Sequence, residues 1–406
     1  MEAPLAPDTR PQDLLGPDWQ TGVEPTPKPV KPKYWLHLLL FALTVVTTTL
    51  AGLEWMAPAN ATRLSEGSLT WAQFSQGFWF SLPFLGILTV HEFGHYFTAR
   101  AYKAQVTLPY YIPMWLGWLS SFSIGTMGAF IRIGSPFKAR YQLFDVGAAG
   151  PLAGYVAAVG VLVWGYLTLP SADFIFTIHP EYLPLGPDYA KYVYQNLGAG
   201  NLSLGNNLTM QLLAHLADPA RLPNSYELMH YPLLFAGFMA LFFTALNLFP
   251  IGQLDGGHIL YGLVGPVWHR RISPLLFLCL VMYSGMGVPQ PMLGSGDPAF
   301  ADNLQWNALY LLFLYITFSR TVPGWRNILM LAVAVFGLQY GLGMYAPLLQ
   351  GYNGWLVFCL VLGRFLGIYH PPTLQDEPLS PGRKVVGIVA LVVFILSFSP
   401  QPFVFE

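Results

Sequence analysis

The chain has 406 residues, of which 54% are hydrophobic, 16% aromatic and only 10% charged. That composition excludes a soluble multidomain protein and places the chain in a lipid bilayer. Its 19 Lys and Arg nearly balance 20 Asp and Glu, which excludes a nucleic-acid partner, because such a partner needs a clustered basic surplus.

Residues 1–34 are polar and proline-rich, carry Lys28, Lys31 and Lys33, and contain no apolar run. They read as a disordered cytoplasmic tail and not as a signal peptide. From there the sequence predicts an all-α polytopic membrane protein with about nine transmembrane helices, since each crossing needs about 20 apolar residues. The stretches lie near 35–56, 76–102, 144–169, 232–265, 272–288, 305–320, 327–346, 353–369 and 385–401. The fourth is too long for one straight span and contains Pro250 and Gly256-Gly257, so it reads as a broken helix beside protein or a cavity. Cys279 and Cys359 both fall in apolar runs, which predicts buried thiols and no disulfide framework.

Charge position gives an orientation. With the N-terminus cytoplasmic, all of the 19 Lys and Arg except Arg63, Lys191 and Arg221 lie in or beside cytoplasmic connections, as the positive-inside rule requires. Two connections are more than turns. Between the second and third spans, Gly125 to Ile133 reads as a short strand or hairpin flanked by glycine, with an apolar, re-entrant approach from Val106 to Pro113. The external segment 170–231 carries leucines at helical spacing from Asn206 to Ala217, which predicts a surface helix. The layout is a tail (1–34), a first span with its external loop (35–75), a core (76–270, including 170–231) and a further five-helix membrane region (271–406).

The second span contains His91-Glu92-Phe93-Gly94-His95. Histidines at i and i+4 share one face of a helix and can reach one tetrahedral Zn²⁺, while the adjacent Glu92 can act as general base on the water that the metal activates. Three ionisable groups in one apolar helix are costly against lipid, which argues for a metal-bound or cavity-facing cluster. A catalytic zinc needs a third protein ligand. Asp255, in the broken fourth span, is the only acid between Glu227 and Asp297; His258, one turn later, competes with it. His91 lies nine residues before Arg100, which puts the site about 14 Å below the cytoplasmic boundary. Gly147, Gly150 and Gly154 give the third span a smooth side that should pack on the second.

His91-Glu92-Phe93-Gly94-His95, Asn247 to Pro250, Leu254-Asp255-Gly256 and Gly147 to Gly154 together resemble the site-2 protease family of intramembrane zinc metalloproteases, in order and in membrane context. The resemblance covers roughly 76–270. It implies one catalytic Zn²⁺ on His91, His95 and Asp255, Glu92 as general base, and Asn247 positioning substrate or stabilising the oxyanion. It also implies that an unwound substrate pairs with the glycine-flanked β element, which would replace the helical hydrogen bonds hiding its peptide bonds. The substrates would be transmembrane or membrane-anchored proteins, cut near the cytoplasmic side. Segment 170–231 lacks the strand pattern of the PDZ domain that many relatives carry there. A metal carrier using the same ligands, and an inactive structural protein, are the alternatives; the first gives Glu92 no reason to sit beside His91, and the complete ligand set argues against the second.

Overall fold

The computed structural model describes residues 33–56, 67–117, 123–134, 137–194, 201–291, 297, 299–346 and 348–405. The tail expected over 1–34 lies outside them apart from its last two residues. The protein is mostly helical. The principal helices are α1 (Tyr34–Met56), α2 (Phe78–Ala101), α3 (Arg140–Leu167), α4 (Leu208–Ala214), α5 (Pro232–Leu248), α6 (Asp255–Gly285), α7 (Phe300–Thr317), α8 (Trp325–Tyr345), α9 (Trp355–Leu360, continued by a π-helical turn, Val361–Leu366) and α10 (Pro381–Ser397). Two small antiparallel sheets accompany them: β1 (Tyr110–Pro113) with β2 (Thr126–Phe130), and β3 (Leu202–Leu204) with β4 (Phe403–Phe405).

By length and composition, α1, α3 and α8 are long and apolar enough to cross a membrane; α5 and Trp355–Leu366 are apolar but shorter. Helix α2 is longer than α1, but His91, Glu92, His95 and Arg100 dilute its hydropathy. Those four residues keep α2 below the hydropathy of α1, α3 and α8.

The broken helix takes a different form from the expected one. Helix α5 stops at Leu248, as a following proline demands, and residues 249–254 are irregular before α6 starts at Asp255. No loop then separates the expected fourth and fifth spans: α6 runs on to Gly285 and changes direction at Gly265 (φ 81°). Gly256 and Gly257 do not supply unusual dihedrals, since both are helical. They are needed for close approach, because a Cβ on Gly257 would stand 2.7 Å from the Ile251 carbonyl oxygen and one on Gly256 would meet the carbonyls of Leu248 and Phe249.

The Gly265 bend explains a residue whose role sequence reading missed. Pro266 has no N–H, so the Gly262 carbonyl, four residues earlier, loses its helical donor. Arg140, 8% exposed, fills the gap from the start of α3, donating through Nε (3.0 Å) and Nη2 (2.6 Å) to that oxygen. Arg140 thus has a structural role beside its place in the charge pattern. Arg140→Met leaves a buried carbonyl unpaired and should cost about 1.5–3 kcal/mol, seen as a lower unfolding midpoint in detergent.

The helices after Arg271 brace the break. Ser273 Oγ accepts from the Gly252 N–H (3.0 Å) and donates to the Ile368 carbonyl (2.7 Å), and Phe249 lies among the rings of Trp355, Phe358, Phe394 and Phe398. Arg383, at the start of α10, grips Asp145 of α3 through Nε and Nη2 at 2.8–3.0 Å. A second apolar core, around Phe80, Phe84, Phe235 and Phe238, joins α2, α3 and α5. Cys359 is buried as expected, whereas Cys279 faces outward.

In segment 170–231 the expected helix is short: α4 covers only Leu208–Ala214, started by Asn207, whose side chain accepts from the Met210 N–H at 2.9 Å. Asn207 is 3% exposed and serves as a cap.

Candidate active site

Helix α2 brings His91, Glu92 and His95 to one level of the bundle, where they are 5%, 5% and 8% exposed. Helix α6 begins with Asp255, an acid in the first turn where the helix dipole favours it. The two elements meet at three atoms. His91 Nε2 and His95 Nε2 are 3.1 Å apart, and Asp255 Oδ2 stands 3.2 Å from His95 Nε2 and 3.7 Å from His91 Nε2. His95 Nδ1 donates to the Val146 carbonyl at 2.7 Å, which leaves its Nε2 lone pair aimed at the other two atoms.

Three acceptor atoms facing one another favour a cation between them. For bonds of about 2.0–2.1 Å at the tetrahedral angle, donors stand about 3.3–3.4 Å apart, so this donor set fits a zinc-type ion. Glu92 is not among the converging donors. His258 is not either: it turns to His370, with Nδ1 at 2.8 Å from that ring's Nε2.

The glycines of α3 make room for the two imidazoles. A Cβ on Gly150 would run into the His95 ring, one on Gly154 would lie 3.1 Å from His91 Cβ, and one on Gly147 would lie 2.8 Å from His258 Cβ. In return, a Cβ on Gly94 would sit 2.7 Å from the Ala149 carbonyl oxygen. Of the smooth face read from the sequence, Gly150 and Gly154 pack on α2 as expected and shape the places where the two rings lie, whereas Gly147 packs on α6.

Asn247, in the last turn of α5, places Nδ2 3.4 Å from His91 Nε2. A cavity of about 100 Å³ is lined by His91, Glu92, Gly154, Thr244 and Asn247, and also by Met127, Gly128 and Ala129 of β2. The hairpin is held there from two sides. Tyr111 of β1 hydrogen-bonds Thr89 on α2 (2.7 Å), and Thr47 on α1 donates to the Gly125 carbonyl (2.7 Å). Gly125 and Gly128 have φ of 82° and 101°, backbone that favours glycine. Sequence reading missed Tyr111, Thr89 and the Val146 carbonyl, which act through position and carry no motif.

An H-E-x-x-H helix joined by an aspartate from a second helix, within a largely apolar bundle, defines a metallopeptidase-type site. The chain belongs to peptidase family M50, whose model matches residues 79–286, and the resemblance to site-2 proteases is thereby established. It is 29% identical to the probable zinc metalloprotease EGY1, chloroplastic, of Oryza sativa subsp. japonica, over 57% of this chain and 38% of that protein. It is 25% identical to the protein of the same name from Arabidopsis thaliana, over 57% of this chain and 40% of that one. With the probable zinc metalloprotease EGY2, chloroplastic, of Oryza sativa subsp. indica it shares 29% identity over 49% of this chain and 31% of the relative. The chain thus spans well under half the length of these curated relatives. No solved structure matches it.

Proposed function

We propose that this protein is an intramembrane zinc endopeptidase that cuts transmembrane or membrane-anchored protein segments. The observation that carries the reading is the meeting of His91 Nε2, His95 Nε2 and Asp255 Oδ2 at tetrahedral spacing, with Glu92 beside them. His91, His95 and Asp255 hold the metal. A bound Zn²⁺ supplies Lewis acidity, polarising the scissile carbonyl and lowering the pKa of a water towards about 7.

The chain's own residues do the rest. Glu92 takes the proton of the attacking water and returns it to the leaving amine nitrogen. The Val146 carbonyl keeps His95 in the tautomer that presents Nε2. The Asn247 amide, on the wall of the same cavity, donates to the oxygen on which charge develops. An extended substrate lies along β2 at Met127 to Ala129, its backbone bonds transferred from its own helix to the strand.

The nine-span layout, with 76–270 as the protease core and 271–406 as a membrane region that braces it, belongs to the same proposal. So do a cytoplasmic N-terminus and cleavage near the cytoplasmic side. Two contacts support that arrangement. The end of α1 meets the start of α5 through the Trp55 carbonyl and His230, and β4 returns to pair with β3 in segment 170–231. These contacts are compatible with an odd number of crossings, a cytoplasmic N-terminus and an external C-terminal strand.

Purified protein in liposomes with a transmembrane peptide substrate tests the reading. A zinc chelator should abolish cleavage and added Zn²⁺ should restore it. Metal flux without cleavage would instead favour a carrier.

A further inference from the structure

Segment 170–231 contains a second place where imidazole and carboxylate converge. His179 precedes the 3₁₀ turn Pro180–Asp188, and Glu227 and His230 lie in the turn that leads into α5. His179 Nε2 and His230 Nε2 are 3.2 Å apart, and Glu227 Oε2 stands 3.3 Å from His230 Nε2 and 3.6 Å from His179 Nε2. These are again the edges of a tetrahedron with bonds of about 2.0–2.1 Å.

The outer partners decide what the inner atoms are. His230 Nδ1 donates to the Trp55 carbonyl at 2.6 Å, and His179 Nδ1 donates to Glu181 Oε1 at 2.8 Å. With Nδ1 as the donor, each ring has Nε2 as the atom left to bind a metal, with the outer hydrogen bonds to a carbonyl and a carboxylate that metal-binding histidines commonly make. Tyr194 donates its hydroxyl to Glu227 Oε1, which leaves Oε2 as the atom turned inward. Glu227 is 3% exposed, and Oε2 is buried without a hydrogen-bond partner. Three lone-pair atoms point at one another, and a buried carboxylate oxygen carries an unmet demand for positive charge.

We propose that His179, Glu227 and His230 form a second metal site, for a divalent transition metal of the zinc class. Two imidazoles and one carboxylate suit such an ion better than Ca²⁺ or Mg²⁺, which take oxygen ligands. Three protein donors leave a fourth position for water, and His179, whose side chain is 15% exposed, gives an entry path. The site ties the segment after α3 to the start of α5 and, through Trp55, to the end of α1. It is separate from the catalytic cluster: His230 lies in the turn before α5 and Asn247 in its last turn, and the helix from Pro232 to Asn247 alone rises about 22 Å at 1.5 Å per residue.

The test is the zinc content of the purified full chain in detergent, after equilibration with Zn²⁺ and removal of the excess. Wild-type protein should hold two equivalents, Asp255→Ala one, Glu227→Gln one, and the double variant none. The equivalent kept by Glu227→Gln also reports that this variant is folded, and His179→Gln, at the more exposed ligand, repeats the experiment. A single wild-type equivalent that Asp255→Ala removes would overturn the second site, as would two equivalents surviving in both Glu227→Gln and His179→Gln. A single equivalent lost on Glu227→Gln and kept by Asp255→Ala would uphold this site and count against the catalytic one.

Discussion

Glu92→Gln should retain the metal and lose proteolysis by about 100- to 10,000-fold, the usual contribution of a positioned general base. The substitution keeps the shape of a side chain that is 5% exposed but removes its capacity to take a proton. Glu92 is not one of the three converging donors, so metal binding should survive. Cleavage of a reconstituted transmembrane substrate, measured beside zinc content on the same preparation, separates the two effects. Proteolysis close to wild type in the metal-loaded variant would remove Glu92 from the chemistry.

Gly150→Ala should be nearly as damaging although it replaces no acid, base or metal ligand. A single added methyl would occupy the place of the His95 ring. Either the ring turns away from His91 and Asp255 or α3 moves off α2. Overpacking of this kind costs about 1–3 kcal/mol, and a displaced ligand should weaken metal binding by at least the 10- to 100-fold that loss of an outer partner brings. Gly160→Ala is the control on the same helix, because a Cβ there meets nothing within 4 Å. Loss of zinc and activity in the first variant and neither in the second is the expected pattern. Equal behaviour of the two would show that Gly150 does not shape the site.

The catalytic cluster was legible where its geometry is local. His91 and His95 are one helical turn apart, so spacing alone puts them on one face. Asp255 was legible for a different reason, the scarcity of acids in apolar sequence together with the family resemblance, and the coordinates add that its competitor His258 faces His370. The hydrogen bonds of Arg140 to the Gly262 carbonyl were not legible, because they depend on Pro266, far away in the chain. The pairing of β3 with β4 was invisible for the same reason, since nothing in Leu202–Leu204 names Phe403–Phe405. The His179, Glu227 and His230 cluster joins two separate turns with no regular spacing, so only the folded chain reveals it. Among the described residues, three helices are long and apolar enough to be spans by length and composition, where sequence patterning counted nine.

In the proposed mechanism His91, His95 and Asp255 hold one zinc ion. The most direct measurement is the anomalous difference map at the zinc absorption edge, from crystals of protein that cleaves a membrane substrate. The account predicts a peak bonded at about 2.0–2.1 Å to His91 Nε2, His95 Nε2 and a carboxylate oxygen of Asp255. An active preparation with no peak between these residues would contradict it.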